Sequence, residues 1–205
     1  MLWTEVIMRQ ETGSNPTLTN NKVSIQVILG GLYFSADKIV VAEDIEQIEF
    51  IIDTPRVILA PREEVSLDHA SELLRLAGKP CHHNEQSVCS ELNEDIIAVM
   101  AIDCNALKTV VDKWGSRATF TTPLLDMRHS EENCLTIDAS DKVCYMRLFD
   151  RGLQRAEAFE ATTPEDILYL INEWLGNDKA TPIYIKGNEE CVKLLRKYYK
   201  QVICE

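Results

Sequence analysis

No apolar run in this 205-residue chain approaches the roughly 18 residues that a membrane-spanning helix needs. Residues 1–16 also lack an apolar core of signal-peptide length, so the expectation is a cytoplasmic protein with no membrane insertion. Positive charge is in short supply, at 21 Lys and Arg against 33 Asp and Glu, a net charge of −12. A polyanion is repelled by such a surface, which argues against nucleic acid as a partner. The basic cluster KLLRKYYK lies where the last turns of a helix favour cations anyway. No Walker-type glycine loop and no Gly-x-Ser-x-Gly elbow is present. The seven cysteines are odd in number and lie mainly within apolar patterns, which fits reduced thiols better than a disulfide framework.

Residues 134–205 carry the clearest pattern. Short strands CLTID, KVCYMRLF and LQRAEAFE precede a helix whose two ends are both marked. Thr163 is its N-cap, Pro164 its first residue, Asp166 the partner of a capping box, and Gly176 its stop. Ile167, Leu168, Leu170, Ile171, Trp174 and Leu175 form its apolar stripe. A buried strand PIYIKG and a last helix NEECVKLLRKYY follow, with Trp174 and Tyr198 assigned to the core and Tyr169 and Tyr199 to the surface.

A weaker copy of this order runs through 20–78. VSIQVILGGLYFSA suggests a hairpin at Gly30-Gly31, and IEQIEFIID suggests a third strand. VILAP is a short strand stopped by Pro61, and Ser66 caps a helix that Gly78 ends. PCHHNEQSVCSELNED is polar enough to be a loop. IIAVMAI is a strand leading to a helix capped by Asp103 and closed by Gly115, and ATFTTPLL returns as a strand. The implied architecture is α/β with mixed sheets. It comprises an arm over 1–21, a first half over 22–133 holding a strand–helix–strand insertion at 94–125, and a second half over 134–205, with DMRHSEEN at the boundary.

Three strands, a helix, a strand and a helix, occurring twice, resemble the duplicated ribonuclease-H-like fold of the actin-like ATPase superfamily. More closely, NKVSIQVILGGLYFS, AFEATTPEDILYLINEWL, and PIYIKG followed by LLRKYYKQV resemble an uncharacterised bacterial family, domain of unknown function 3822. Actin-like ATPases place an Asp on the first strand of each half to hold the magnesium hydration shell, followed by a glycine hairpin around the phosphates. Here the first-half positions are Gln26 and Ile28. In the second half Asp138 matches, Ser140 stands for a glycine, Gly187 matches the adenosine-side motif, and Asn188 replaces its second glycine. The resemblance thus implies a residual nucleotide motif of Asp138, Ser140, Gly187 and Asn188, with no resident cofactor expected and ATP with Mg2+ as the alternative.

Other chemistries are thinly supported. A ribonuclease-H-type nuclease needs several carboxylates on two metal ions, and beyond Asp138 the candidates Glu165, Asp166 and Glu173 are helical while PIYIKG supplies only Lys186. Cys81, His82, His83 and Cys89 are the one group with soft-ligand character, although neighbouring histidines on an extended chain point apart. A cysteine nucleophile paired with His69 or His129 has no local motif behind it. The expected function is a non-catalytic scaffold or protein-interaction module, with a second copy of itself as one candidate partner. The alternatives are an ATP-using phosphohydrolase or phosphotransferase that relies on Asp138, and a metal-binding protein using the Cys81 to Cys89 segment.

Overall fold

A computed structural model describes the backbone of 22–27 and, in full apart from the side chain of Leu67, residues 47–187 and 189–205. The 1–21 arm, Ile28, Gly30, Gly31, Asn188 and the side chain of Gln26 lie outside the described residues. The chain divides into two compact units, Met1–Thr54 with Ala60–Thr122 and Pro55–Leu59 with Pro123–Glu205.

The second unit follows the expected order. Strands β7 (Asn133–Ala139), β8 (Val143–Asp150) and β9 (Leu153–Glu160) form an antiparallel meander. Helix α3 (Pro164–Leu175) then crosses over to β10 (Ile183–Lys186), and α4 (Glu189–Leu195) to β11 (Val202–Cys204). Both later strands lie parallel to β7, and the five-stranded sheet has the order β11-β10-β7-β8-β9. The capping box at Thr163 and Asp166 is formed, and Gly176 ends α3 at φ 55°. Alternation along the strands turns Leu135, Ile137, Met146, Ile183 and Ile185 toward the core that Ile167, Ile171 and Leu195 of the helices complete.

The last helix is shorter than its sequence pattern suggests, which reverses two assignments. After Leu195 the chain leaves the helical period, so Tyr199 is buried and Tyr198 is exposed. The Tyr199 hydroxyl donates to Asn172 Oδ1 at 2.8 Å, and the Lys179 ammonium sits 4.3 Å from its ring centre. Trp174 packs against the core as expected, with Phe159 on its edge at 5.9 Å.

In the first unit, β1 (Lys22–Val27), β2 (Gln47–Ile52) and β6 (Ala118–Thr121) form a wholly parallel sheet in the order β1-β2-β6. This repeats the order of β7, β10 and β11, so the duplication is visible in topology. IEQIEFIID is a strand, as expected, and it pairs parallel with β1. Strands β5 (Ile96–Asp103) and β4 (Glu85–Glu91) form an antiparallel pair with α1 (Ala70–Leu76) against both, while β3 (Val57–Pro61) runs through the division of the chain between Leu59 and Ala60. Helix α2 (Cys104–Trp114) is capped by Asp103, whose side chain accepts from the N–H groups of Asn105 and Ala106. Phe50 packs against Trp114 and Phe120 at 5.1 and 6.0 Å.

Within the polar run expected to be a loop, Glu85–Glu91 is strand β4, and turns flank it on both sides. It is an edge strand paired antiparallel with β5, and an edge tolerates polar side chains because one flank stays in water. Asn93 makes the connecting turn, its side-chain oxygen accepting from the N–H groups of Asp95 and Ile96. The strand, helix and strand of 94–125 are all present, but β5 and β6 enter different sheets.

Two thiols report on the core of the second unit. Burial pushes Cys144 up to about 12 and Cys191 up to about 11. Alkylation of the native protein at about pH 8, read by mass spectrometry, should modify the exposed Cys104 and Cys204 and reach Cys144 and Cys191 only on unfolding.

Candidate functional site

The two faces of the five-stranded sheet differ in chemistry. Opposite the helices, period-two alternation places Cys134, Thr136 and Asp138 of β7 beside Arg147 of β8 and Tyr184 and Lys186 of β10. Arg147 is the centre of this face and only 2% exposed. Its Nε donates to Thr136 Oγ1 at 2.8 Å, and its two terminal nitrogens donate to the Pro123 carbonyl and to Asp138 Oδ2. A buried guanidinium is stable only when paired and hydrogen-bonded, and each of its three nitrogens has an acceptor.

Residues 123–132 continue the polar network as a chain of tight turns. These residues belong to the second compact unit, so the expected boundary at 133/134 falls inside its fold. A 3-10 turn at Pro123–Leu125 packs against β8 and β9. Arg128 then binds Asp126 through Nη2 at 2.6 Å and reaches Glu205 at 3.2 Å. Partial burial opposes the charge of Asp126, but the Arg128 hydrogen bonds and the nearby Arg147 hold its carboxyl below the usual range.

His129 lies between two carboxylates, with Nδ1 at 2.8 Å from Glu132 and Nε2 at 2.7 Å from Glu205. Its ring stacks on Tyr184 at 4.0 Å and 22°. Burial lowers the His129 pKa, yet the Glu132 and Glu205 hydrogen bonds more than offset this and raise it overall. The hydrogen bond from His129, and a further one from Tyr184, lower that of Glu132. Burial and the Glu132 charge push the Cys134 thiol up to about 11.

The residues of the residual nucleotide motif have structural partners. Asp138 is bound by Arg147. Ser140 closes the β7–β8 turn, its N–H donating to the Val143 carbonyl and its hydroxyl oxygen accepting from the Val143 N–H at 3.1 Å. Gly187 follows β10 at φ 142°, and a Cβ there would sit 2.5 Å from the Ala139 carbonyl oxygen. Asp138 and Lys186 are register partners, so Asp138 and Gly187 do end neighbouring strands. Glu165 and Asp166 begin α3, and Asp166 is engaged in its cap.

In the first unit, Cys81, His82 and His83 precede β4 and Cys89 lies within it. The His82 N–H donates to Glu85 Oε2 at 2.9 Å. Among the described residues, the group of metal-ligand side chains that converges is His129, Glu132 and Cys134, none of which belongs to that segment. The sequence carried two signals for the observed network: an Arg in the otherwise apolar run VCYMRLF, and His-x-x-Glu-x-Cys leading into β7.

No protein-family model matches the chain, and no curated protein matches its sequence. A solved Bacteroides thetaiotaomicron protein with an actin-like ATPase fold and unknown function is similar to it at a TM-score of 0.65 and 18% identity, over 79% of this chain and 69% of that one. The AlfA filament bound to AMPPNP is similar at a TM-score of 0.37 and 15% identity, over 76% of this chain and 52% of that one. The cytoplasmic domain of EpsL, an inner-membrane component of the Vibrio cholerae type II secretion system, gives 0.39 and 12%, over 70% and 62%. The first likeness establishes the class: the chain has an actin-like ATPase fold. No helix among the described residues is long and apolar enough to cross a membrane.

Two substitutions test the structural roles of the motif. Asp138→Ala strands a buried guanidinium and should cost about 3–5 kcal/mol in chemical denaturation, with Asp138→Ala/Arg147→Met costing less than the single change. An Asp138→Ala variant as stable as the parent would contradict this role. Gly187→Ala should cost about 1–3 kcal/mol through backbone strain, with the clash at Ala139 adding to it.

Proposed function

We propose that the chain is a non-catalytic member of the actin-like class that serves as a protein-interaction scaffold. The observation that carries this reading is the pairing of Asp138 with Arg147. Magnesium would have to displace a buried cation to reach the carboxylate, and the freed guanidinium would be left uncompensated. Supporting it, Ser140 and Gly187 have local structural reasons to be what they are. The first half offers Gln26 and Ile28 where the superfamily places a magnesium-holding Asp and a glycine.

The exposed Tyr169 and Tyr198 rings are suitable anchors for a partner, since aromatic side chains are enriched at interfaces. That partner is another protein or a second copy, and analytical ultracentrifugation separates the two. The seven free thiols favour a reducing, cytoplasmic setting. The quoted sequence segments also lead us to group the chain beside domain of unknown function 3822.

The melting temperature should be the same with and without Mg-ATP at millimolar concentration. A ligand that binds only the folded state raises it by mass action, so a clear upward shift would refute the reading.

A further inference from the structure

We propose that His129, Glu132 and Cys134 form a binding site for one zinc-class divalent cation. It goes beyond the scaffold reading and does not depend on it, because no nucleotide takes part. Their ligand atoms all lie within 4.8 Å of one another. Glu132 N–H donates to the His129 carbonyl at 3.0 Å, and this turn brings residues i and i+3 together just before the chain enters β7 with Cys134.

The imidazole is already oriented for a metal. With Nε2 at 2.7 Å from Glu205 and Nδ1 at 2.8 Å from Glu132, the ring presents its Nδ1 edge to the ligand carboxylate, and a metal takes the place of the Nδ1 proton. A carboxylate on the far ring nitrogen of a ligating histidine is the usual outer-shell arrangement, fixing tautomer and ring orientation. Glu205 is held in turn by Arg128 at 3.2 Å, and Tyr184 holds the ring plane by stacking.

Imidazole, carboxylate and thiolate together select a borderline-soft ion such as zinc, whereas magnesium and calcium prefer oxygen donors alone. Ligand atoms around tetrahedral zinc lie about 3.5 Å apart, so Nδ1 and the Glu132 oxygen, now 2.8 Å apart, must open slightly while separations of up to 4.8 Å close. The half-exposed Glu132 side chain has room to do so. On binding, the thiol S–H proton and the Nδ1–H proton pass to solvent as the metal–sulfur and metal–nitrogen bonds form, and water completes the coordination.

The test uses the full chain stripped with a chelator and titrated with cobalt(II), then zinc, with metal content measured in parallel. A near-ultraviolet thiolate-to-cobalt band and a stoichiometry near one per chain are expected. Cys134→Ala should abolish the band, and His129→Ala should weaken binding at least tenfold. Glu205→Gln should weaken it by about 10–100-fold while keeping the band. Melting curves of the metal-free variants establish that each is folded; if Cys134→Ala is not, the other two carry the test. A Cys81→Ser/Cys89→Ser variant should bind as the parent does. No band, a stoichiometry near zero, a band that survives Cys134→Ala, or loss of binding in Cys81→Ser/Cys89→Ser would each overturn the proposal.

Discussion

The second unit is built around one buried cation. Arg147 stands on the central part of a sheet whose helix-covered face is apolar, and its guanidinium has left water almost entirely. Such a charge imposes conditions on everything near it. It needs an anion, supplied by Asp138; it needs neutral acceptors, supplied by Thr136 and the Pro123 carbonyl. The Pro123 carbonyl must be delivered by a segment folded over the sheet, and the turns of 123–132 that follow it place Asp126, Arg128 and His129 in order. What looks like a linker in sequence is thereby part of the body.

The two sheet faces divide the labour. One buries aliphatic side chains under α3 and α4, where non-directional burial supplies stability. The other joins charged groups through directional contacts, where geometry matters more than area. The same strand order β7-β10-β11 recurs in β1-β2-β6, so the duplicated plan survives although the first unit carries a further antiparallel pair.

How much of this was legible in the sequence follows from how local each signal is. The α3 cap and stop depend on residues within a few positions of each other, and Thr163, Pro164, Asp166 and Gly176 all behave as read. Strand identity in unit two was equally clear. Strand β4 was missed because an edge strand need not alternate cleanly, whereas β2 was found as a strand although its parallel pairing leaves no short-range mark. Tyr198 and Tyr199 were exchanged because one helical turn fewer rotates the stripe. Of the candidate site, Asp138 was found by resemblance, but its partner Arg147 was not, since a charged residue inside a strand says nothing about which acid it will meet. His129, Glu132 and Glu205 come together only through the turns and through β11.

The close approach at Gly187 also fixes how two strands end. The space beside the Gly187 α-carbon is taken by the Ala139 carbonyl oxygen. Any side chain at 187 would wedge the end of β10 away from the end of β7, so a hydrogen atom in place of a methyl group is what lets the two strand ends meet backbone to backbone.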